Sequence, residues 1–229
     1  VSSAPVDLPV LFRDEALLAV NKPSGIAVHR GLARERRTVA SELRATLEVP
    51  LFPVHRLDRA TSGVLLLALT AEAARVLQRQ LEAGAVDKRY LALVRGIPPE
   101  EGRIDHPIPR DLGGPRVPAV TEYRRLAIWE RYALVEARPL TGRIHQVRRH
   151  LKHIDHPLIG DVRYGKGEHN RLFRERFGLH RLALHALSIE FAHPFDGRRL
   201  RVAAPLPSEL EVLLRALGVD PAAWYPSAP

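Results

Sequence analysis

His55-Arg56-Leu57-Asp58-Arg59-Ala60-Thr61-Ser62-Gly63 runs directly into Val64-Leu65-Leu66-Leu67-Ala68-Leu69. The second stretch is a short unbroken apolar run bounded by turn residues, which predicts a strand buried on both faces. The first holds one carboxylate, Asp58, hemmed in by Arg56, Arg59 and His55. Polar chemistry at the lip of a buried strand is a common position for an active site. Neighbouring positive charge favours the ionised carboxylate, which suits a nucleophile or a base better than a proton donor. The same residues also make an ordinary salt-bridged turn, and locally both readings stand.

On the N-terminal side, residues 1–9 read as a loose arm, and Val10 to Val20 as two short strands around Arg13-Asp14-Glu15. Asn21-Lys22-Pro23-Ser24-Gly25 is a turn signal, Gly31 to Arg37 a basic loop, and Val39 to Leu47 a short helix. On the C-terminal side, Thr70 caps a helix whose stripe is Ala74, Leu77 and Leu81 and whose stop is Gly84. Tyr90 to Val94 is a strand, Pro98 to Pro118 mostly loop, and Thr121 to Ile128 with Tyr132 to Ala137 a hairpin. A helix is expected from about Arg143, a short one near Asn170–Phe177, a strand over Leu182 to Phe191 and a closing helix over Ser208 to Leu217. The pattern predicts an α+β fold on a mixed, mainly antiparallel sheet with flanking helices and loops. It is read as one catalytic domain over residues 10–217, with a tail over 218–229.

The chain has 229 residues, 45% of them hydrophobic, enough for a substantial core. No stretch approaches the roughly 20 apolar residues of a membrane span, and no signal peptide is visible at the N-terminus. The absence of cysteine excludes disulfides, iron–sulfur clusters and thiol catalysis, and fits a cytoplasmic protein. Net charge is +9 and pI is near 10.5. Nearly all the positive charge is arginine; the lysines are Lys22, Lys88, Lys152 and Lys166. Arginine binds phosphate through a planar fork and stacks on bases, which favours a nucleic-acid partner over a membrane. GC-rich codon usage produces the same bias.

Thr141-Gly142-Arg143-Ile144-His145-Gln146-Val147-Arg148-Arg149-His150-Leu151 contains an anomaly. Ile144, Val147, Leu151 and Ile154 form an apolar stripe at helical spacing, and Arg148 falls on it. A buried arginine needs a carboxylate, and Asp58 would gain a partner; snorkelling to the rim of the core is the alternative. Arg143, His145, Gln146 and Arg149 are expected to face solvent or phosphate. Lys88-Arg89-Tyr90 opens a strand, with Lys88 and Tyr90 on one face. Tyr90 is either a core aromatic or a ring that stacks on a base and offers its hydroxyl for proton transfer. The eleven histidines lack metal-ligand spacing, and no P-loop, dinucleotide fingerprint or nucleophile elbow is present, so no metal or cofactor is expected.

Taken in order, Asn21–Gly25, His55–Gly63, Lys88–Tyr90 and Thr141–His150 resemble the motifs of the RluA-type pseudouridine synthases, over roughly residues 10 to 205. Pro157-Leu158-Ile159-Gly160-Asp161, His169-Asn170-Arg171 and Leu184-His185-Ala186 are most similar to the branch that modifies transfer RNA. The resemblance implies an isomerase that cuts the uridine glycosidic bond, turns the uracil and rejoins it through carbon 5, without metal or cofactor. Asp58 would be the essential aspartate, nucleophile or 2′-base. Tyr90 would stack on the uracil, Arg148 would pair with the aspartate, and Arg56 would fill the gap left by the flipped nucleotide. Arg59, Lys88, Arg143, His145 and Gln146 are further expected RNA contacts. The implied partner is tRNA, at uridine sixty-five near the acceptor stem, with large-subunit rRNA as the alternative and a monomer as the default state. A non-catalytic RNA-binding or RNA-chaperone module is the competing reading. A two-carboxylate glycosidase fits less well, because the Asp58 motif offers no second acid.

Overall fold

The computed structural model describes residues 6–29, 37–47, 49–110 and 113–221. The expected basic loop before Arg37, and the end of the expected tail from residue 222, lie outside them. The chain runs β1 (Val10–Arg13), β2 (Leu17–Lys22), α1 (Val39–Thr46), β3 (Phe52–Pro53), β4 (Ser62–Ala68), α2 (Ala71–Glu82), β5 (Asp87–Arg95), β6 (Glu101–Asp105) and β7 (Ile108–Pro109). It continues through β8 (Arg116–Val117), β9 (Val120–Trp129), β10 (Tyr132–Pro139), α3 (Gln146–His153), α4 (Gly167–Phe177), β11 (Leu184–Ala192), β12 (Arg199–Ala203) and α5 (Ser208–Ala216). The class is α+β, as the pattern of elements predicts. The chain forms two compact units, one from Val1–Asp87 and Ala186–Pro205, the other from Lys88–His185 and Leu206–Pro229.

In the first unit, every residue of β4 is buried. That is why its sequence is continuously apolar rather than alternating. β4 pairs antiparallel with β2 in the register Leu17↔Ala68 to Lys22↔Gly63, and β2 pairs antiparallel with β1. Asp14 closes the β1–β2 turn, its Oδ1 accepting from the Ala16 and Leu17 amides at 2.9 and 2.8 Å. α1 begins with a reciprocal capping box between Thr38 and Ser41, and α2 with the expected Thr70 cap. Gly63 adopts φ +115° with the backbone of Ala186 directly against it, where any Cβ would overlap the Ala186 carbonyl. The glycine that ends the Asp58 motif is thus required by the neighbouring strand.

In the second unit, β9 and β10 form the expected hairpin, turning at Glu130 with φ +49°. β10 pairs antiparallel with β5, and β9 with β6. Leu91, Leu93, Tyr132, Phe173, Leu213 and Leu214 belong to its core. One expectation is refined here and one corrected. The stretch Pro98–Pro118 is mostly loop, as expected, but it also holds β6 and the small β7–β8 ribbon. Strand β6, Glu-Gly-Arg-Ile-Asp, gives almost no apolar alternation and is a strand because β9 pairs with it. The helix expected from Arg143 starts instead at Gln146, because His145 takes the left-handed conformation, φ +53° and ψ +30°.

Candidate active site

Two of the sequence motifs, far apart in the chain, are knitted into one loop pair. The Gly25 amide donates to the Arg59 carbonyl at 2.8 Å, and Arg59 Nε donates back to the Gly25 carbonyl at 2.8 Å. Ser24 Oγ donates to the Ala60 carbonyl at 2.8 Å. Beneath them Lys22, fully buried, donates through Nζ to the carbonyls of Pro23, Ile26 and Arg59 at 2.8, 2.8 and 3.3 Å. Three carbonyl dipoles thus solvate one ammonium and tie Asn21–Gly25 to the Asp58 turn. Within that turn the Thr61 amide donates to the Asp58 carbonyl at 3.0 Å. Leu57, Thr61 and Ser62 are buried and anchor it, leaving Asp58 half-buried and Arg56 and Arg59 exposed.

His55 has a different part from the one its neighbours suggest. Its Nε2 accepts the Leu66 amide of β4 at 2.9 Å. A ring nitrogen that accepts carries a lone pair, so His55 is a neutral imidazole holding the turn to the strand, not a positive charge beside Asp58.

In the second unit Arg148 is buried on α3, with Val147 and Leu151, as the stripe predicts. The carboxylate that meets it there is Asp161: Nε–Oδ2 is 2.7 Å and Nη2–Oδ1 2.9 Å. Asp161 Oδ1 also accepts the amides of Arg163 and Tyr164 at 2.9 and 3.0 Å. Burial alone would raise the Asp161 carboxyl. The Arg148 guanidinium and the two amides outweigh it and hold the group below its ordinary value. Asn170 of α4 fastens the same loop, accepting the Gly160 amide at 2.8 Å and donating to the Asp161 carbonyl at 3.0 Å.

Tyr164 stands at the centre of a basic cluster. Its hydroxyl accepts from Arg149 Nε at 2.9 Å and shares a hydrogen bond with His145 Nδ1 at 3.0 Å. The guanidinium carbons of Arg148, Arg149 and Arg163 lie 5.1, 5.6 and 5.6 Å from its ring centroid.

The other expected site residues are placed as follows. Tyr90 is half-buried on β5 opposite Ala137 of β10. Lys88, on the same strand, donates to the Thr141 carbonyl at 3.2 Å. Arg143 is exposed and its Nε donates to the Pro118 carbonyl at 3.2 Å. Gln146 corrects the expectation of a solvent-facing residue, being only 5% exposed. Its Oε1 accepts from Thr141 Oγ1 and the Arg143 amide at 2.7 and 2.9 Å, and its Nε2 donates to the Val120 carbonyl and Thr121 Oγ1 at 2.8 and 3.0 Å. It is the buried clamp that folds Thr141–His145 into a loop ahead of α3. Asp161, Tyr164 and the clamping role of Lys22 were not foreseen. Lysine's rarity in this chain and the Gly-Asp pair before Tyr164 are the available signals for them.

Residues 16–153 match the family model for RNA pseudouridylate synthase, a span that includes Asp58, Tyr90 and Arg148. The chain is 40% identical to tRNA pseudouridine synthase C of Haemophilus ducreyi, covering 93% of this chain and 97% of that protein. It is 43% identical to the protein of the same name from Salmonella typhimurium, covering 87% and 85%. Among known structures, human RNA pseudouridylate synthase domain containing 4 superimposes with a TM-score of 0.75 at 28% identity, over 91% of this chain and 92% of that one. The chain belongs to the RNA pseudouridylate synthase family. It is a pseudouridine synthase, an isomerase.

Proposed function

We propose that this enzyme acts on tRNA and converts uridine sixty-five, near the acceptor stem, to pseudouridine. The observation that carries the reading is near-full-length similarity to proteins named tRNA pseudouridine synthase C. The net charge of +9 supports a polyanionic substrate.

Asp58 is the essential carboxylate. Ionised, it attacks C1′ of the ribose or takes the proton from C2′; either route breaks the bond between N1 and C1′. The released uracil turns and C5 bonds to C1′, displacing the Asp58 carboxylate from C1′ in the first route or with return of the proton to C2′ in the second; the proton on C5 is lost and N1 takes one up. Tyr90 stacks on the uracil and is the group assigned to that proton. Arg148 is the arginine assigned to the same reaction. A uridine in a stem reaches such residues only by leaving its stack, and exposed Arg56 fills the space it vacates.

Tritium release from tRNA carrying 5-tritiated uridine tests the activity, and mapping pseudouridine in tRNA and rRNA with and without the protein tests the target. Loss of pseudouridine only from large-subunit rRNA would replace the tRNA reading. No release from any RNA by folded protein would overturn the assignment of an active isomerase.

A further inference from the structure

We propose that Tyr164 is a positioning residue that builds an RNA-phosphate site from Arg149 and His145, with Arg163 at its edge. Three guanidiniums gather around the one ring, and they repel one another. Asp161 neutralises only Arg148. Among the described residues no carboxylate pairs with Arg149 or Arg163, whereas Arg89, Arg103, Arg124, Arg138, Arg199 and Arg215 all reach a glutamate. Cations crowded together without a counter-charge are arranged to receive an anion.

The cluster is built rather than fluctuating. Arg149 is committed through Nε to the Tyr164 hydroxyl. That leaves the two-pronged end of the guanidinium as the part suited to two phosphate oxygens. His145 is held on the same hydroxyl while its backbone sits at φ +53°, a conformation a histidine adopts only when its surroundings enforce it. The Gln146 clamp below and the Tyr164 hydroxyl above provide that enforcement. Tyr164 is fixed in turn because its amide is bound by buried Asp161. One residue therefore links the Arg148–Asp161 pair to the two side chains that meet the RNA backbone.

The inference deepens the tRNA reading and rests on it; wild-type turnover on tRNA tests that reading separately. Given wild-type turnover, the variants Tyr164→Phe, Arg149→Gln and the double variant are compared by kcat, KM and the salt dependence of tRNA Kd. Tyr164→Phe keeps the ring and loses only the hydroxyl. It is expected to weaken tRNA binding about fivefold, with the loss in KM and Kd rather than kcat. It should also flatten the slope of log Kd against log salt by roughly one phosphate contact. Arg149→Gln should do the same, and the double variant should lose less than the sum of the two single losses, because the hydroxyl acts partly through the arginine and partly through His145. Arg149→Lys, which lacks Nε, should not restore binding. Wild-type Kd and salt slope in folded Tyr164→Phe, or additive losses in the double variant, would overturn the proposal.

Discussion

Arg148 and Asp161 meet in a two-point ion pair in which the aspartate side chain is wholly shielded from water. Two parallel charge-assisted hydrogen bonds make it a geometric lock as well as an electrostatic one. Its members sit on α3 and on the loop before α4, so the pair fixes Arg148 from a different element. Asp161→Asn takes the charge out of a buried two-point pair and should cost about 3–5 kcal/mol of unfolding free energy. Because the Asp161 carboxyl is held below its ordinary value, its contribution is present above the ordinary carboxylate range and is lost as pH falls through the depressed value. Urea titrations from neutral to acid pH check both points. An Asp161→Asn variant as stable as the parent at neutral pH would show that the pair contributes nothing net.

Asp58 makes a contrasting case. It is half-buried in a turn whose anchors are Leu57, Thr61 and Ser62. Asp58→Asn keeps the size and removes the charge. Tritium release should fall at least about a thousandfold, while the melting temperature stays within a few degrees of the parent. Retained turnover in the asparagine variant would remove Asp58 from the chemistry.

Lys22 is expected to be structural in effect though it lies in a signature motif. Its ammonium satisfies three carbonyls in a fully buried position. Lys22→Met fills similar volume and supplies no donor, taking that partner from the Pro23 and Ile26 carbonyls and leaving the Arg59 carbonyl with the Gly25 amide alone. We expect a loss of roughly 2–4 kcal/mol. Faster amide exchange should be confined to Gly25 and Thr61, whose amides are bonded across and within the loop pair. Unchanged exchange at both would mean the loops hold together without the lysine.

The parts of this molecule legible in its sequence are those governed by local period. The β4 run, the Thr70 cap, the β9–β10 hairpin and the buried position of Arg148 all follow from spacing and turn chemistry. The missed features depend on partners distant in the chain. Strand β6 takes its conformation from β9. Gln146 is polar in a polar stretch, and only the folded chain shows that its amide is occupied by Val120, Thr121, Thr141 and Arg143. His55 lies among arginines and reads as a cation until β4 supplies the amide that makes it an acceptor. The choice of Asp161 for Arg148 is of the same kind: the helical stripe requires a carboxylate there, but not which one.

His150 gives the molecule a pH dependence in the neutral-to-acid range. The ring is fully buried, with Nδ1 2.8 Å from Thr121 Oγ1 and Nε2 2.9 Å from the His106 carbonyl. A carbonyl only accepts, so Nε2 carries the proton and Nδ1 accepts from the threonine hydroxyl. Burial, first of all, pushes the group below the ordinary value of 6.5. The unfolded chain therefore binds a proton that the folded chain refuses. Stability from His150 is complete above that ordinary value and fades as pH falls through the lower folded value. His106 and His169 are lowered by burial as well and add to the same limb. Denaturant midpoints from about pH 7.5 down to about pH 5 should fall with a slope of up to ~1.4 kcal/mol per pH unit for each such histidine. His150→Asn should lower the plateau at neutral pH and remove about one proton from the slope, with His106 and His169 supplying the remainder. An unchanged slope in His150→Asn would place the titration elsewhere.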